Sequence, residues 1–107
     1  MKINLLVLRC KELEVSKQFY ELLGFNFVKE RHGDGPTHYS SQDPGFVFEL
    51  YPLAKNEALD NSRVGFSFNG IQQVLSHVKT VSQHEFNGRK IYIVQDPDGR
   101  KVELSEQ

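Results

Sequence analysis

Two glutamates, Glu49 and Glu103, occupy equivalent positions in two similar stretches of the chain. Each stretch begins with an Asp-Pro pair typical of a turn, continues as an apolar-rich strand and contains a Glu-Leu pair; the stretches are DPGFVFEL from residue 43 and DPDGRKVEL from residue 96. Carboxylates that converge in a partly apolar cleft can anchor a polar ligand, act as a general base or hold a divalent cation. The repetition itself indicates a duplicated strand–helix–strands unit.

Histidine and cysteine, the other residues suited to catalysis or metal binding, give weaker signals. Cys10 is the only cysteine, which excludes an internal disulfide and a thiolate-cluster metal site, and we expect it to be an inert thiol. Surface or structural roles are predicted for the four histidines, which are His32, His38, His77 and His84. Of these, His38 falls in a predicted strand and could face the cleft, so it is kept as a candidate ligand contact.

Length, charge and hydropathy limit the classes of function. A chain of 107 residues fits one domain with its own core, and a net charge of −1 with interspersed signs lacks the positive field that nucleic acid requires. The apolar run near the N-terminus, residues 5–8, is too short for a signal peptide or a membrane span. We therefore expect a cytoplasmic protein with no nucleic-acid partner and no membrane partner.

Hydrophobic periodicity predicts two βαβββ modules in series. In module one, about 1–52, the predicted elements are a strand at 3–9, a helix at 13–23 and strands at 25–31, 37–42 and 45–51. A polar segment without periodicity, about 53–62, is the predicted linker. In module two, about 63–107, the predicted elements are a strand at 63–68, a helix at 71–80, a weakly patterned segment at 81–88 with an Asn-Gly turn, and a hairpin with strands at 91–95 and 101–105.

Alternation along the predicted strands assigns side chains to the two faces of each sheet. In the last strand of module one, Phe46, Phe48 and Leu50 should face the helix, and Val47, Glu49 and Tyr51 should lie on the helix-free face. In the last strand of module two, Glu103 should point away from Val102 and Leu104. The predicted buried stripe of the first helix consists of Val15, Phe19, Leu22 and Leu23.

This order of elements resembles that of the vicinal oxygen chelate superfamily, which includes glyoxalase I, bleomycin resistance proteins and extradiol dioxygenases. The resemblance rests on LEVSKQFYELLGF after the first strand and DPDGRKVEL near the end, and it covers nearly the whole chain. It implies an α+β fold, with two βαβββ modules in a single domain over 1–107, mixed sheets curving round a cleft, and helices on the outer face. It also implies a homodimer, in which the cleft is commonly built from the first module of one chain and the second module of its twofold mate.

In metal-using glyoxalases of this superfamily, four ligands, typically His, Glu, His and Glu, come from the first and last strands of the two modules. By this resemblance, the residues at the four ligand positions are Leu5, Glu49, Arg63 and Glu103. Leucine has no ligand atom, and the guanidinium of Arg63 has no lone pair to give at any usable pH. We therefore expect no metal at these positions and no cofactor, with Arg63 bridging both glutamates in place of the ion.

Three classes of function stay open. The first is a metal-free small-molecule-binding protein of the glyoxalase/bleomycin-resistance type that sequesters a drug or a metabolite, which best accounts for a fold kept without its metal set. The others are a metal-dependent lyase or isomerase with non-standard ligands, and a structural or partner-binding module with a filled cleft. The sequence identifies no catalytic residue. The predicted ligand contacts are Leu5, Val7, His38, Val47, Glu49, Tyr51, Arg63 and Glu103, with Arg9, Tyr39 and Tyr92 as further candidates to line the cleft.

Overall fold

The computed structural model of the chain describes residues 1–43 and 45–107, and of Asp43 it describes the backbone alone. The predicted Asp-Pro turn before the last strand of module one therefore lies outside the described residues. The described residues form two compact units, Met1–Asp60 (unit 1) and Asn61–Gln107 (unit 2), each with the element order βαβββ. This order confirms the predicted α+β class.

Unit 1 contains a mixed sheet and a helix. Its elements are β1 (Leu5–Cys10), α1 (Leu13–Leu22), β2 (Val28–Glu30), β3 (His38–Asp43) and β4 (Phe46–Pro52). The strands lie in the order β1-β4-β3-β2; β1 runs parallel to β4, and the other neighbours are antiparallel. The first and last strands of the unit are therefore adjacent, which brings their side chains together on each face of the sheet.

Unit 2 repeats this topology. Its elements are β5 (Val64–Phe68), α2 (Ile71–Leu75), β6 (Thr80–Phe86), β7 (Arg89–Gln95) and β8 (Lys101–Glu106). The strands lie in the order β5-β8-β7-β6, with β5 parallel to β8 and the other neighbours antiparallel. Within the described part of the chain, neither α1 nor α2 is long and apolar enough to cross a membrane.

Helix α1 packs one face against β4. Its buried residues are Ser16, Tyr20 and, just past its last turn, Leu23. The Tyr20 ring meets Phe48 of β4 edge-on, with centroids 5.0 Å apart. The predicted stripe is wrong for Val15 and Leu22, whose relative exposures are 48% and 46%. In place of these two side chains, the fully buried ring of Tyr20 packs against Phe48, and such an aromatic contact stabilises beyond the area that it buries.

The first helix ends in a Schellman motif at Gly24. Gly24 has a φ of +110°, its N–H donates to the carbonyl oxygen of Glu21 at 3.0 Å, and the N–H of Phe25 donates to that of Tyr20 at 3.3 Å. A residue with a Cβ is sterically strained at this positive φ, so glycine is suited to the position. The motif redirects the chain from α1 toward β2.

The core of unit 1 forms round the even-numbered residues of β4. Phe48 and Leu50 are fully buried, as predicted. The rings of Phe25 and Phe27 pack against Phe48, with centroid distances of 4.9 and 5.7 Å. The odd-numbered residues of β4 consequently lie on the opposite, helix-free face of the sheet.

In unit 2, helix α2 is shorter than predicted and β6 is longer. The helix ends at Leu75 rather than near residue 80, and β6 begins at Thr80. Thr80 and Val81 are β-branched, and the segment pairs with β7 from Thr80 to Phe86 apart from a register shift between Thr80 and Ser82, so the strand is favoured over further helix. The hairpin turns at Asn87 and Gly88, as predicted, with the positive φ values (+51° and +78°) that a type I′ turn requires.

The hairpin from β7 to β8 is closed by its turn residues. One carboxylate oxygen of Asp96 accepts hydrogen bonds from two backbone N–H groups of the turn, at 2.9 and 3.0 Å, and the other pairs with Arg100 Nη1 at 3.0 Å. In β8, Val102 and Leu104 are fully buried, as predicted. Glu103 between them therefore lies on the helix-free face of unit 2.

Candidate functional site

The helix-free face of unit 1 carries one side chain from each strand in a single row. The strand register pairs Arg9 of β1 with Tyr51 of β4, and Glu30 of β2 with His38 of β3. The His38 and Tyr51 rings stack, with centroids 4.1 Å apart and planes 7° from parallel, which joins the two pairs. The Arg9 guanidinium lies 4.8 Å from the centroid of the Tyr51 ring, a cation–π contact. We call Arg9, Tyr51, His38 and Glu30 the cross-sheet row.

The His38 ring is buried, and both of its nitrogens have polar neighbours. The residue is 1% exposed, and Nδ1 lies 3.1 Å from the carbonyl oxygen of Pro36. A carbonyl oxygen only accepts, so Nδ1 carries a proton and the lone pair of the neutral ring is on Nε2. Nε2 lies 3.3 Å from the Tyr51 hydroxyl, and 3.6 and 3.9 Å from carboxylate oxygens of Glu30 and Glu49. A buried imidazole beside two carboxylates is equipped to move a proton or to bind a cation.

The next rows of the same face carry the other predicted contacts of unit 1. The register aligns Val7 with Glu49 and Glu49 with Ser40, and it aligns Leu5 with Val47. Leu5 and Val7 are 52% and 37% exposed. The structure thus brings all the predicted contacts of unit 1 to one face, and their role in binding stays a prediction.

The helix-free face of unit 2 contains a cavity of about 250 Å³. Polar and apolar residues both line it, among them Ser67, Arg89, Glu103 and Ser105 with Phe86 and Ile91. Arg89 Nη2 donates to Ser67 Oγ at 3.1 Å and to Ser105 Oγ at 2.7 Å, and the two hydroxyl oxygens lie 2.9 Å apart. A guanidinium and two hydroxyls on one wall can bind an anionic or accepting group, and the apolar residues can receive a hydrocarbon part.

Arg63, the residue before β5, forms a salt bridge with Glu103. Its Nε lies 2.6 Å from Glu103 Oε2, and the two side chains are 48% and 34% exposed. The contact is one half of the expected bridge, whereas the contact of Arg63 with Glu49 stays a prediction. Because arginine keeps its charge at any usable pH, the Glu103 carboxylate already has a fixed cationic partner.

Two of the further candidates, Tyr39 and Tyr92, lie on the helix-facing sides of their sheets, where each pairs in register with a fully buried leucine. The Tyr39 hydroxyl donates to Glu14 of α1, and the Tyr92 hydroxyl accepts from Gln72 of α2 at 3.4 Å. The hydrogen bond to Glu14, followed by burial and nearby negative charge, raises the pKa of Tyr39 to about 12. These tyrosines thus connect each helix to its sheet through a hydrogen bond, on the side of the sheet opposite the helix-free face.

Sequence reasoning missed the hydrogen-bonded group of the unit 2 cavity, which consists of Ser67, Arg89 and Ser105. Alternation could have found Ser105, because it has the parity of Glu103 in β8, and Ser67 is its partner in β5. Arg89 gives no such signal, because it lies beside the hairpin turn and its direction depends on the register of β6 with β7. Glu30 was also missed, since β2 is too short to show a period.

Comparison with known proteins identifies a family over almost the whole length of the chain. Residues 2–104 match the family model described as Glyoxalase/Bleomycin resistance protein/Dioxygenase superfamily. No curated protein matches the sequence significantly.

Solved structures also share the fold. An antibiotic binding protein from a Streptomyces species has a TM-score of 0.77 at 15% identity, with 99% of this chain and 95% of that chain covered. A lactoylglutathione lyase from Agrobacterium tumefaciens has a TM-score of 0.69 at 16% identity, with 99% and 92% covered. A glyoxalase family protein from Enterococcus faecalis has a TM-score of 0.63 at 24% identity, with 99% and 94% covered. At these identities the likeness shows the fold alone.

Proposed function

Because the chain belongs to the glyoxalase/bleomycin resistance protein/dioxygenase superfamily, we propose that it is a small-molecule-binding protein that uses no metal at the superfamily's usual ligand positions. The observation that carries the proposal is the cavity of about 250 Å³ on the helix-free face of unit 2. Leu5 and Arg63 at two of the usual ligand positions support binding without metal. The antibiotic binding protein from Streptomyces provides a precedent for small-molecule binding on this fold.

The lining of the cavity defines the chemistry of the ligand. Arg89, held by two serine hydroxyls, favours an anionic or strongly accepting group at one end of the molecule. Phe86 and Ile91 favour an apolar or aromatic body at the other end. Pockets for drug-sized molecules measure roughly 300–1,000 Å³, so a cavity of about 250 Å³ suits a metabolite-sized molecule or one part of a drug.

For unit 1 we propose a separate ligand-contacting surface on its helix-free face. Leu5, Val7 and Val47 offer apolar area beside the carboxylate of Glu49 and the ring of Tyr51. Surfaces that contact ligands are typically apolar with a few fixed polar groups, because the apolar area binds the ligand and the polar groups orient it. His38 is 1% exposed and contacts Tyr51 and Glu49 from below, so it helps to hold these two side chains in place at the surface.

The test is a thermal-shift screen of the wild-type protein with a library of drugs and metabolites. A ligand at a hundredfold excess over its Kd stabilises the native state by about 2.7 kcal/mol, which is readily measured. Arg89→Gln should abolish the shift caused by anionic hits, because it removes the charge that faces them. The matched control is Lys90→Gln, one residue along β7 on the opposite face, which should leave the shift intact.

Two results would overturn the proposal. One is a screen in which no compound stabilises the wild-type protein, as a structural module with a filled cleft would predict. The other is an equal loss of ligand response in the Arg89 and Lys90 variants, which would mean that the guanidinium in the cavity wall does not contact the ligand.

We also propose that the protein acts as a cytoplasmic homodimer. Exposed apolar residues on β1 support self-association, because surfaces of this kind are usually covered. The cytoplasmic location is supported by the cysteine count, because a single cysteine cannot form the internal disulfides that are common in secreted proteins.

A further inference from the structure

Three side chains at one end of the helix-free face of unit 1 bring metal-binding atoms together: Glu30, His32 and His38. One ligand atom from each lies within 4.8 Å of the others, and His38 Nε2 lies 3.6 Å from Glu30 Oε1. In a tetrahedral zinc site with bonds of about 2.0–2.1 Å, neighbouring ligand atoms are about 3.4 Å apart. Glu30 and His38 are therefore almost at the separation that an ion requires, and the exposed ring of His32 lies close enough to be the third ligand.

A tight turn between β2 and β3 keeps His32 beside His38. The N–H of Gly35 donates to the carbonyl oxygen of His32 at 2.9 Å, and Arg31 Nε donates to the carbonyl oxygen of Gly35 at 3.0 Å. A Cβ at position 35 would lie 3.0 Å from the His32 carbonyl oxygen, so the close turn favours glycine there. The His32 and His38 rings consequently have centroids 5.2 Å apart.

The environment of His38 prepares its Nε2 for a ligand role. Pro36 accepts a hydrogen bond from Nδ1, which fixes the tautomer and the ring orientation in the way that outer partners of metal-bound histidines do. The Tyr51 hydroxyl lies 3.3 Å from Nε2, but the two ring planes differ by only 7°. The hydroxyl therefore approaches from above the imidazole, and it does not occupy the in-plane direction of the Nε2 lone pair.

We propose that Glu30, His32 and His38 bind one divalent transition-metal ion, with Zn²⁺ as the first probe. Two imidazoles and a carboxylate suit Zn²⁺, Ni²⁺ or Cu²⁺, whereas Mg²⁺ and Ca²⁺ prefer oxygen ligands throughout. Glu49 Oε2, 3.9 Å from His38 Nε2, adds a second negative charge that offsets the charge of the ion. The site shares at most Glu49 with the superfamily's usual ligand positions, and it does not depend on the unit 2 cavity.

The first test is a calorimetric titration of the intact chain with Zn²⁺, after treatment with a chelator and dialysis. We expect saturation at one equivalent. His32→Ala and Glu30→Gln should each weaken binding by at least about tenfold, because each removes a direct ligand and loss of even an outer partner costs that much. His84→Ala, which removes another exposed histidine, is the matched control and should bind like wild type.

A second measurement uses the wild-type protein alone, so it does not depend on the folding of a variant. In histidine-labelled protein, Zn²⁺ should shift the ring resonances of His32 and His38 and leave those of His77 and His84 in place. Glu103→Gln should leave the affinity for Zn²⁺ unchanged. The proposal is overturned if no Zn²⁺ binds or if His32→Ala binds Zn²⁺ like wild type. It is also overturned if Glu103→Gln abolishes binding, because the ion would then bind at the superfamily's usual ligand positions.

Discussion

The imidazole of His38 lies flat against the phenol of Tyr51, with ring centroids 4.1 Å apart and ring planes within 7° of parallel. This contact joins β3 to β4 on the side of the sheet opposite α1. The Arg9 guanidinium from β1 contacts the same phenol, so the ring of Tyr51 is held between a cation and an imidazole. The cross-sheet row is therefore a connected structure, and it fixes the position of His38 Nε2 relative to Glu30 and Glu49.

The stack predicts unequal effects for two substitutions of Tyr51. Tyr51→Leu removes the ring stack and the cation–π contact together with part of the buried ring, so we expect the free energy of unfolding to fall by about 1–3 kcal/mol. Tyr51→Phe keeps the stack and removes only the hydroxyl, so it should cost less than about 1 kcal/mol. Urea unfolding of both variants gives the comparison. Equal losses would assign the stabilisation to the hydroxyl instead of the stack.

The hydrogen bond from Tyr39 to Glu14 predicts a loss of stability at high pH. It is the main cause that raises the pKa of Tyr39 from 10.0 to about 12. Below pH 10 the phenol is protonated in the folded and unfolded chain, so the contribution of the bond to stability is complete. Between pH 10 and about 12 the unfolded chain loses this proton first, so the contribution falls, and it is gone above the folded pKa.

A pH titration of tyrosine ring resonances in labelled protein measures this pKa directly. Glu14→Gln removes the charged acceptor and should bring the pKa of Tyr39 down toward 10.0. Glu12→Gln removes a carboxylate just before α1 that is not among the groups that raise the pKa of Tyr39, so the pKa should stay near 12. If the Glu14 and Glu12 variants titrate alike, the hydrogen bond is not the cause of the shift.

Strand parity was predictable from the sequence, and the helix stripe was not. Glu49 and Glu103 lie on helix-free faces as their alternation with Phe48 and Leu104 indicates, because successive side chains of any strand point to opposite faces. Which face of α1 is buried depends on Tyr20, a residue that is usually counted as polar because of its hydroxyl although its ring is mostly apolar. A pattern of apolar residues therefore does not predict the buried face of a helix when an amphipathic residue such as tyrosine lies on that face.

The candidate site was predictable only where it depends on parity. Ser67 meets Ser105 because β5 pairs with β8 in one particular register, and a local period does not encode register. His32 approaches His38 because of the turn closed at Gly35, which brings residues six positions apart into ring contact. Predicting such contacts requires the geometry of the turn and of the strand pairing, and these depend on the whole sheet.

Two arginine–carboxylate pairs of unit 2 differ in burial and should differ in their effect on stability. The side chains of Arg100 and Asp96 are 1% and 0% exposed, whereas those of Arg63 and Glu103 are 48% and 34% exposed. Arg100→Met leaves a buried carboxylate without its cation, so the free energy of unfolding should fall by about 3–5 kcal/mol. Arg63→Met should cost about 1 kcal/mol or less, because water screens the exposed pair. Similar losses in urea unfolding would contradict this ranking.

The exposed apolar residues at the start of the chain predict self-association. Ile3, Leu5 and Val7 are 77%, 52% and 37% exposed, and β1 is an edge strand in the sheet of unit 1. Proteins usually cover an exposed apolar surface of this kind, because covering it removes apolar area from water. Sedimentation equilibrium at micromolar concentration should therefore give twice the chain mass of 12.3 kDa.

Two charge substitutions on the same sheet locate the interface. Leu5→Glu places a carboxylate on the exposed part of β1 and should shift the protein toward a 12.3 kDa monomer, because an interface that buries this charge without a partner is costly. Val28→Glu is the matched control, since Val28 is 66% exposed on β2 at the opposite edge, and it should keep the dimer. If wild type sediments as a single 12.3 kDa species, or if the dimer survives Leu5→Glu, the β1 edge is not the interface.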